Sequence, residues 1–91
     1  MTRLERLQDR LTAELAPQRI IVEDESDRHA GHAGARPDGE THYRVEIVAS
    51  RFAGMNRMAR HRLVHEIVHD EFESGLHALS LKLLAPEETR E

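Results

Sequence analysis

Ninety-one residues are enough for one domain with one modest core. The chain has no Trp, one Tyr and two Phe, so aliphatic side chains must fill that core, and a charged fraction of 33% leaves no apolar run near the roughly 18 residues of a membrane span. With no cysteine, disulfides, thiol catalysis and thiolate ligands are excluded, whereas seven histidines are an excess that calls for explanation. The net charge of −4 argues against a general nucleic-acid binder but leaves room for a local basic patch.

The N-terminal M-T-R-L-E-R-L-Q-D-R-L is charged and amphipathic without an apolar signal core, which predicts a cytoplasmic protein with no membrane association. T-R-L-E at 2–5 is a capping box, in which Thr2 caps and Glu5 reaches back. Leu4, Leu7, Leu11 and Leu15 then share one helical face, and Ala16-Pro17 ends the helix. R-I-I-V-E-D-E (19–25) reads as a short β-branched strand. Residues 26–40 carry no apolar period and collect Gly, Ala, Pro and Asp, the composition of a flexible loop.

T-H-Y-R-V-E-I-V-A (41–49) alternates cleanly, with Tyr43, Val45, Ile47 and Ala49 on one face, as in a half-buried strand. S-R-F-A-G (50–54) is a turn, and Asn56 is the N-cap of a helix running to about Glu73, with Leu63, Val64, Ile67, Val68 and Phe72 as its stripe and Gly75 as its C′ residue. L-H-A-L-S-L-K-L-L (76–84) is a third strand with Leu79, Leu81 and Leu83 inward. His77 shares their parity and is therefore expected on the core-facing side. A-P-E-E-T-R-E is read as a frayed, charged tail (85–91). The order helix, strand, strand, helix, strand predicts an α+β fold, α-β-β-α-β, with helices on one face of a three-stranded sheet.

Three constellations carry potential chemistry. H-E-I-V-H (65–69) has the spacing of a zinc helix, but a metzincin continuation needs Gly at 72 and His at 75, where this chain has Phe72 and Gly75. On a helical wheel His65 and His69 lie opposite Leu63, Val64 and Ile67, so a solvated face is the simpler reading. The segment 51–65 holds Arg51, Arg57, Arg60, His61, Arg62 and His65 with no acidic residue. A turn leading into an Arg-rich helix can grip phosphates, and it can equally be a solvated face that meets an acidic partner. The third is distributed: His29 and His32 in the long loop, and His77 at the start of the third strand. A connection of about 15 residues without structure is typically functional or disordered, and neutral imidazole ligates zinc, iron or copper. His77 alone also fits a core-edge histidine hydrogen-bonded to the nearby helix end.

Five stretches taken together, V-E-D-E-S-D-R-H-A-G-H-A-G, E-T-H-Y-R-V-E-I-V, S-R-F-A-G, A-R-H-R-L-V and G-L-H-A-L-S-L, resemble the BolA-like protein family over nearly the whole chain, from about Arg3 to Glu88. The resemblance implies an α-β-β-α-β fold with a short extra helical turn, similar to a class II KH domain. It implies no enzymatic activity. Two functions come with it: heterodimers with monothiol glutaredoxins that share a [2Fe–2S] cluster in iron sensing or cluster trafficking, and DNA-binding transcriptional regulation. In the first, the C-terminal family histidine falls on His77 and the loop ligand on His29, with His32 as the alternative; the glutaredoxin supplies one Cys and glutathione another thiolate. In the second, the basic turn and helix 51–65 would contact DNA. The loop before that helix reads G-M-N-R rather than the G-x-x-G with which KH domains clamp a nucleic-acid backbone, which counts against RNA binding of that type. A chain without cysteine cannot hold a cluster well alone, yet its histidines can complete one held by a thiol partner.

Overall fold

The computed structural model describes residues 2–25 and 41–89. Helix α1 (Arg3–Leu15) leads into β1 (Arg19–Asp24); β2 (His42–Val48) is followed by a 3₁₀ turn at Ser50–Phe52. Helices α2 (Arg57–Ile67) and α3 (His69–Glu73) then precede β3 (Ala78–Leu84), and a 3₁₀ turn at Pro86–Thr89 follows. The single α+β domain expected over 1–91 thus has its elements in the expected order. The proposed flexible loop 26–40 lies outside the described residues.

Local chemistry explains where the helices begin and end. The Thr2 hydroxyl accepts from Glu5 N at 3.2 Å while the Glu5 carboxylate accepts from Thr2 N at 3.0 Å, a reciprocal capping box. That backbone bond holds the Glu5 carboxyl below its ordinary value. At the other end Ala16 takes the left-handed conformation (φ 44°) and returns its N–H to Thr12 O. Asn56 Oδ1 caps α2 by accepting from Ala59 N at 2.8 Å. Gly75 has φ 128°, a conformation that favours glycine, at the turn between α3 and β3.

The sheet has the order β1-β2-β3, with β1–β2 antiparallel and β2–β3 parallel. The alternation of β2 is realised: Tyr43, Val45 and Ile47 are buried, whereas His42, Arg44 and Glu46 are half-buried on the other face. Leu7, Leu11 and Leu15 of α1, Val64 of α2, and Val68, Phe52 and Leu76 complete the core against the first of these faces. Each such side chain contributes roughly 1.5–3 kcal/mol through burial.

Two departures from the expected elements have local causes. The long helix is broken at Val68, where φ is −107° and ψ is 18°. Adjacent β-branched residues, Ile67 and Val68, weaken helix there, and the short α3 beyond them is anchored to α1. The C-terminal segment is not frayed over 86–89: it folds back as a 3₁₀ turn, with Glu88 accepting from Ala85 N at 2.7 Å.

The anchor of α3 is a buried ion cluster. Glu71 is 5% exposed and receives Arg3 Nε at 2.9 Å and Arg6 Nε at 2.8 Å, with Arg3 itself 5% exposed. Arg3 also donates to Ser74 O and Ser74 Oγ, at 3.0 and 3.1 Å. Hydrogen bonds from Arg6 and then Arg3 hold the Glu71 carboxyl below its ordinary value of 4.5, against the opposing effect of burial. Removing one member leaves a buried charge unpaired, so Glu71→Ala should cost about 3–5 kcal/mol in urea denaturation. Because the folded-state pKa is the lower one, the contribution is complete above the unfolded carboxylate value and is lost as pH falls through the folded one. The difference in stability between wild type and Glu71→Gln should therefore shrink in acid and stay constant near neutrality.

Candidate functional site

The end of the sheet where β1 stops is also the end where β2 and β3 start. Asp24 pairs with Tyr43, and Glu25 N donates to His42 O at 2.8 Å, which fixes the departure point of the long loop beside its point of return. Thr41, fully buried at that return, is the hub. Its carbonyl accepts from His77 N at 2.8 Å and Ala78 N at 3.0 Å, and its Oγ1 lies 2.9 Å from His42 Nδ1. His77 is thereby tied by its backbone to the root of the loop that carries His29 and His32, whose own positions lie outside the described residues.

The His77 side chain is exposed, not core-facing. It precedes the first paired residue of β3, Ala78, so the alternation that turns Leu79 inward does not yet govern it. Its ring lies against that of His42, with centroids 5.3 Å apart and planes tilted by 46°. Among the described residues the imidazole makes no side-chain hydrogen bond, to the helix end or elsewhere, so its nitrogens are available to a ligand. His42 was not singled out by sequence reasoning, because alternation alone assigns it to the outward face of β2; only the parallel register reveals its histidine neighbour.

The other histidines are dispersed. His65 and His69 are both exposed, as the helical wheel places them. His65 stacks on Phe72 at 5.1 Å, and His69 pairs with Glu73 at 2.7 Å. Among the described residues no group of three or more His, Cys, Asp or Glu side chains is placed to hold a metal ion. His61 is half-buried on α2; burial, Arg57 and His65 lower its pKa from 6.5.

The basic segment divides into two kinds of arginine. Arg51, Arg57 and Arg62 are exposed, Arg51 with its guanidinium 3.6 Å from Met55 Sδ. Arg60 faces the interior, with a side chain only 11% exposed. It donates from Nε to Met55 O at 2.9 Å and from Nη1 to Leu83 O at 3.0 Å, and pairs with Glu88 at 2.7 Å. Its guanidinium also stands 5.8 Å over the Phe52 ring. The hydrogen bond from Ala85 N and then that from Arg60 keep the Glu88 carboxyl below its ordinary value.

A family model described as BolA-like protein matches residues 11–88. The chain belongs to the BolA-like protein family. This BolA-like chain is 46% identical over 89 residues to the chloroplastic protein BOLA1 of Arabidopsis thaliana, covering 96% of the chain and 56% of that relative. It is 45% identical over 87 residues to the chloroplastic/mitochondrial SufE-like protein 1 of the same plant, covering 91% of the chain but 24% of the relative. Among solved structures, the BolA domain of SufE1 from Arabidopsis thaliana superposes with a TM-score of 0.89 at 43% identity, covering 98% of each chain. The BolA-like chain thus spans about half of one of these relatives and a quarter of the other. Their names place them in organelles, whereas the N-terminus here was read as cytoplasmic. No helix among the described residues is long and apolar enough to cross a membrane.

The division among the arginines yields a direct check. Arg60→Ala removes charge-assisted bonds to Leu83 O, Met55 O and Glu88 and should destabilise the BolA-like fold by about 1.5–3 kcal/mol in urea denaturation. Arg57→Ala and Arg62→Ala should stay within about 0.5 kcal/mol of wild type.

Proposed function

We propose that this BolA-like protein is a non-enzymatic partner of a monothiol glutaredoxin and co-ligates a bridging [2Fe–2S] cluster, in iron sensing or cluster trafficking. The observation that carries the reading is the position of His77: an exposed imidazole without a side-chain hydrogen bond among the described residues, bonded through its backbone to the root of the loop bearing His29 and His32. The donor set fits such a cluster only if it is shared. The chain offers imidazoles and no cysteine, so His77 and one of His29 and His32 would hold one iron while the glutaredoxin cysteine and glutathione hold the other.

When bound, a cluster ligated in this way supplies iron of raised reduction potential, because histidine replaces anionic thiolate. The chain's own part is to present neutral imidazoles from a corner fixed by Thr41. Ligation then competes with protonation, which makes the association labile in acid. That lability suits sensing or transfer better than storage. The proposed compartment is the cytoplasm, where thiols are kept reduced.

DNA-binding regulation through segment 51–65 has less to stand on. Arg60 is committed to partners inside the fold, and Glu88 sets a carboxylate beside it. Arg51, Arg57 and Arg62 remain exposed, a small basic footprint on a chain of net charge −4.

Mixing the protein with a monothiol glutaredoxin, ferrous iron, sulfide and glutathione should give a coloured heterodimer whose visible absorption and circular dichroism differ from those of the glutaredoxin homodimer. His77→Ala should remove the difference. A His77→Ala mixture indistinguishable from wild type would refute the ligand assignment.

A further inference from the structure

Strand β3 is an edge of the sheet, bonded to β2 on one side. Ala78 N donates to Thr41 O and Leu84 O accepts from Ala49 N, so both residues turn their backbone groups toward β2. The direction of these groups alternates along a strand, so Ser80 and Lys82 face β2 as well, and Leu79, Leu81 and Leu83 direct their N–H and C=O groups away from the sheet. Leu83 O accepts from Arg60 Nη1 at 3.0 Å. Among the described residues, the outward backbone groups of Leu79 and Leu81 meet no such partner. A row of groups of this kind is a template for another strand.

The chemistry beside that edge is cationic. A groove of about 460 Å³ lies between β3 and the first turns of α2, lined by Met55, Leu81 and Leu83 together with Arg57, Arg60 and Lys82. It already holds one carboxylate: Glu88 lies 2.7 Å from Arg60 and accepts from Ala85 N at 2.7 Å. Arg57 and Lys82 are exposed and, among the described residues, enter no ion pair. The cross-strand neighbour of Lys82, Glu46, is instead paired with Arg44 at 3.8 Å. Pairing two β3 edges with each other would set these cations near their own copies, and like charges across a strand pair are unfavourable. The charge suits an acidic segment from a different protein.

We propose that the outer edge of β3 is a docking strand for an extended acidic segment of a partner protein. The segment's backbone pairs with Leu79 and Leu81, and pairing stops at Leu83 O, which Arg60 occupies. Because side chains alternate along an added strand, successive carboxylates reach Arg57 on the helix side and Lys82 on the open face of the sheet. Apolar side chains of the segment rest on the half-buried Met55 and Leu81. The surface does not include His77, and it stands whether or not the glutaredoxin reading does.

The probe is a short synthetic peptide of Val and Glu with two successive Glu at its centre, fluorescently labelled and titrated into the full chain at low salt. Saturable binding is expected, weakened by added salt, with the Leu79 and Leu81 amide protons newly protected from exchange. Two versions of the peptide, N-methylated at the odd or at the even positions, separate strand pairing from simple charge attraction. One keeps the amides that face β3 and should bind like the parent; the other loses them and should bind at least about tenfold more weakly. Arg57→Glu and Lys82→Glu should each weaken the parent peptide by more than about tenfold. If either variant does not fold, as judged by its amide spectrum, Arg57→Gln or Lys82→Gln takes its place. No binding by the parent peptide, equal binding by both methylated versions, or unchanged affinity in the charge variants would each overturn the proposal. Protection of the Leu79 and Leu81 amides without peptide would also overturn it, assigning the edge to a second copy if it grows with protein concentration and to the chain's own remaining residues if it does not. The titration contains neither iron nor glutaredoxin, so its failure and that of the heterodimer experiment are separate results.

Discussion

Parallel pairing of β2 with β3 is the constraint on which the arrangement of the site depends. An antiparallel partner on one side of β2 and a parallel one on the other bring three chain points to one end of the sheet: the exit of β1, the entry of β2 and the entry of β3. A parallel pair requires a crossover, here built from α2 and α3, and that crossover must return the chain to the edge where the long loop closes. His77 is the last residue of the return. Its closeness to the loop root follows from topology, and Thr41 converts that closeness into a defined geometry through two backbone bonds.

The turn that delivers His77 is held by residues far from it in sequence, near the start of α1. Glu71, at the centre of α3, receives both Arg3 and Arg6 from the first turns of α1, and its own carbonyl accepts from Leu76 N at 2.8 Å. Arg3 adds bonds to Ser74, inside the same turn. The ionic cluster thus spans from the capping box of α1 to the residue just before His77. A buried ion pair of this kind is weak evidence for net stability, since desolvation offsets most of the attraction. Its value is positional: a guanidinium with two defined acceptors holds α3 and the following turn in one orientation.

Much of the fold was legible in the chain because the signals were local. The capping box at Thr2 and Glu5, the Asn56 cap, the leucine spacing of α1 and the alternation of β2 each depend on residues within a few positions of one another, and each reappears in the structure. What depends on distant partners was not legible. Arg3 and Glu71 are far apart in sequence, and nothing in R-L-E-R marks two of its arginines as partners of one buried carboxylate. Arg60 reads as one more cation of a basic run until Leu83 O and Glu88 are seen beside it. The same holds at the site, where His77 stood out through the resemblance to BolA-like proteins. Its side-chain direction was misjudged because strand parity was extended to a residue that precedes the pairing. His42 was passed over because its neighbour across the sheet is set by register, which one sequence does not display.

Chemically, the account rests on imidazoles presented from a fixed corner by a chain that has no thiol of its own. Nitrogen ligation is therefore the property to measure. The most direct measurement is pulsed electron paramagnetic resonance on the reduced cluster of the glutaredoxin mixture, prepared with this protein labelled with ¹⁵N only at histidine. The account predicts ¹⁵N couplings of the size expected for iron-bound imidazole, diminished when His77 is replaced by alanine. A cluster spectrum with no histidine nitrogen coupling would contradict it.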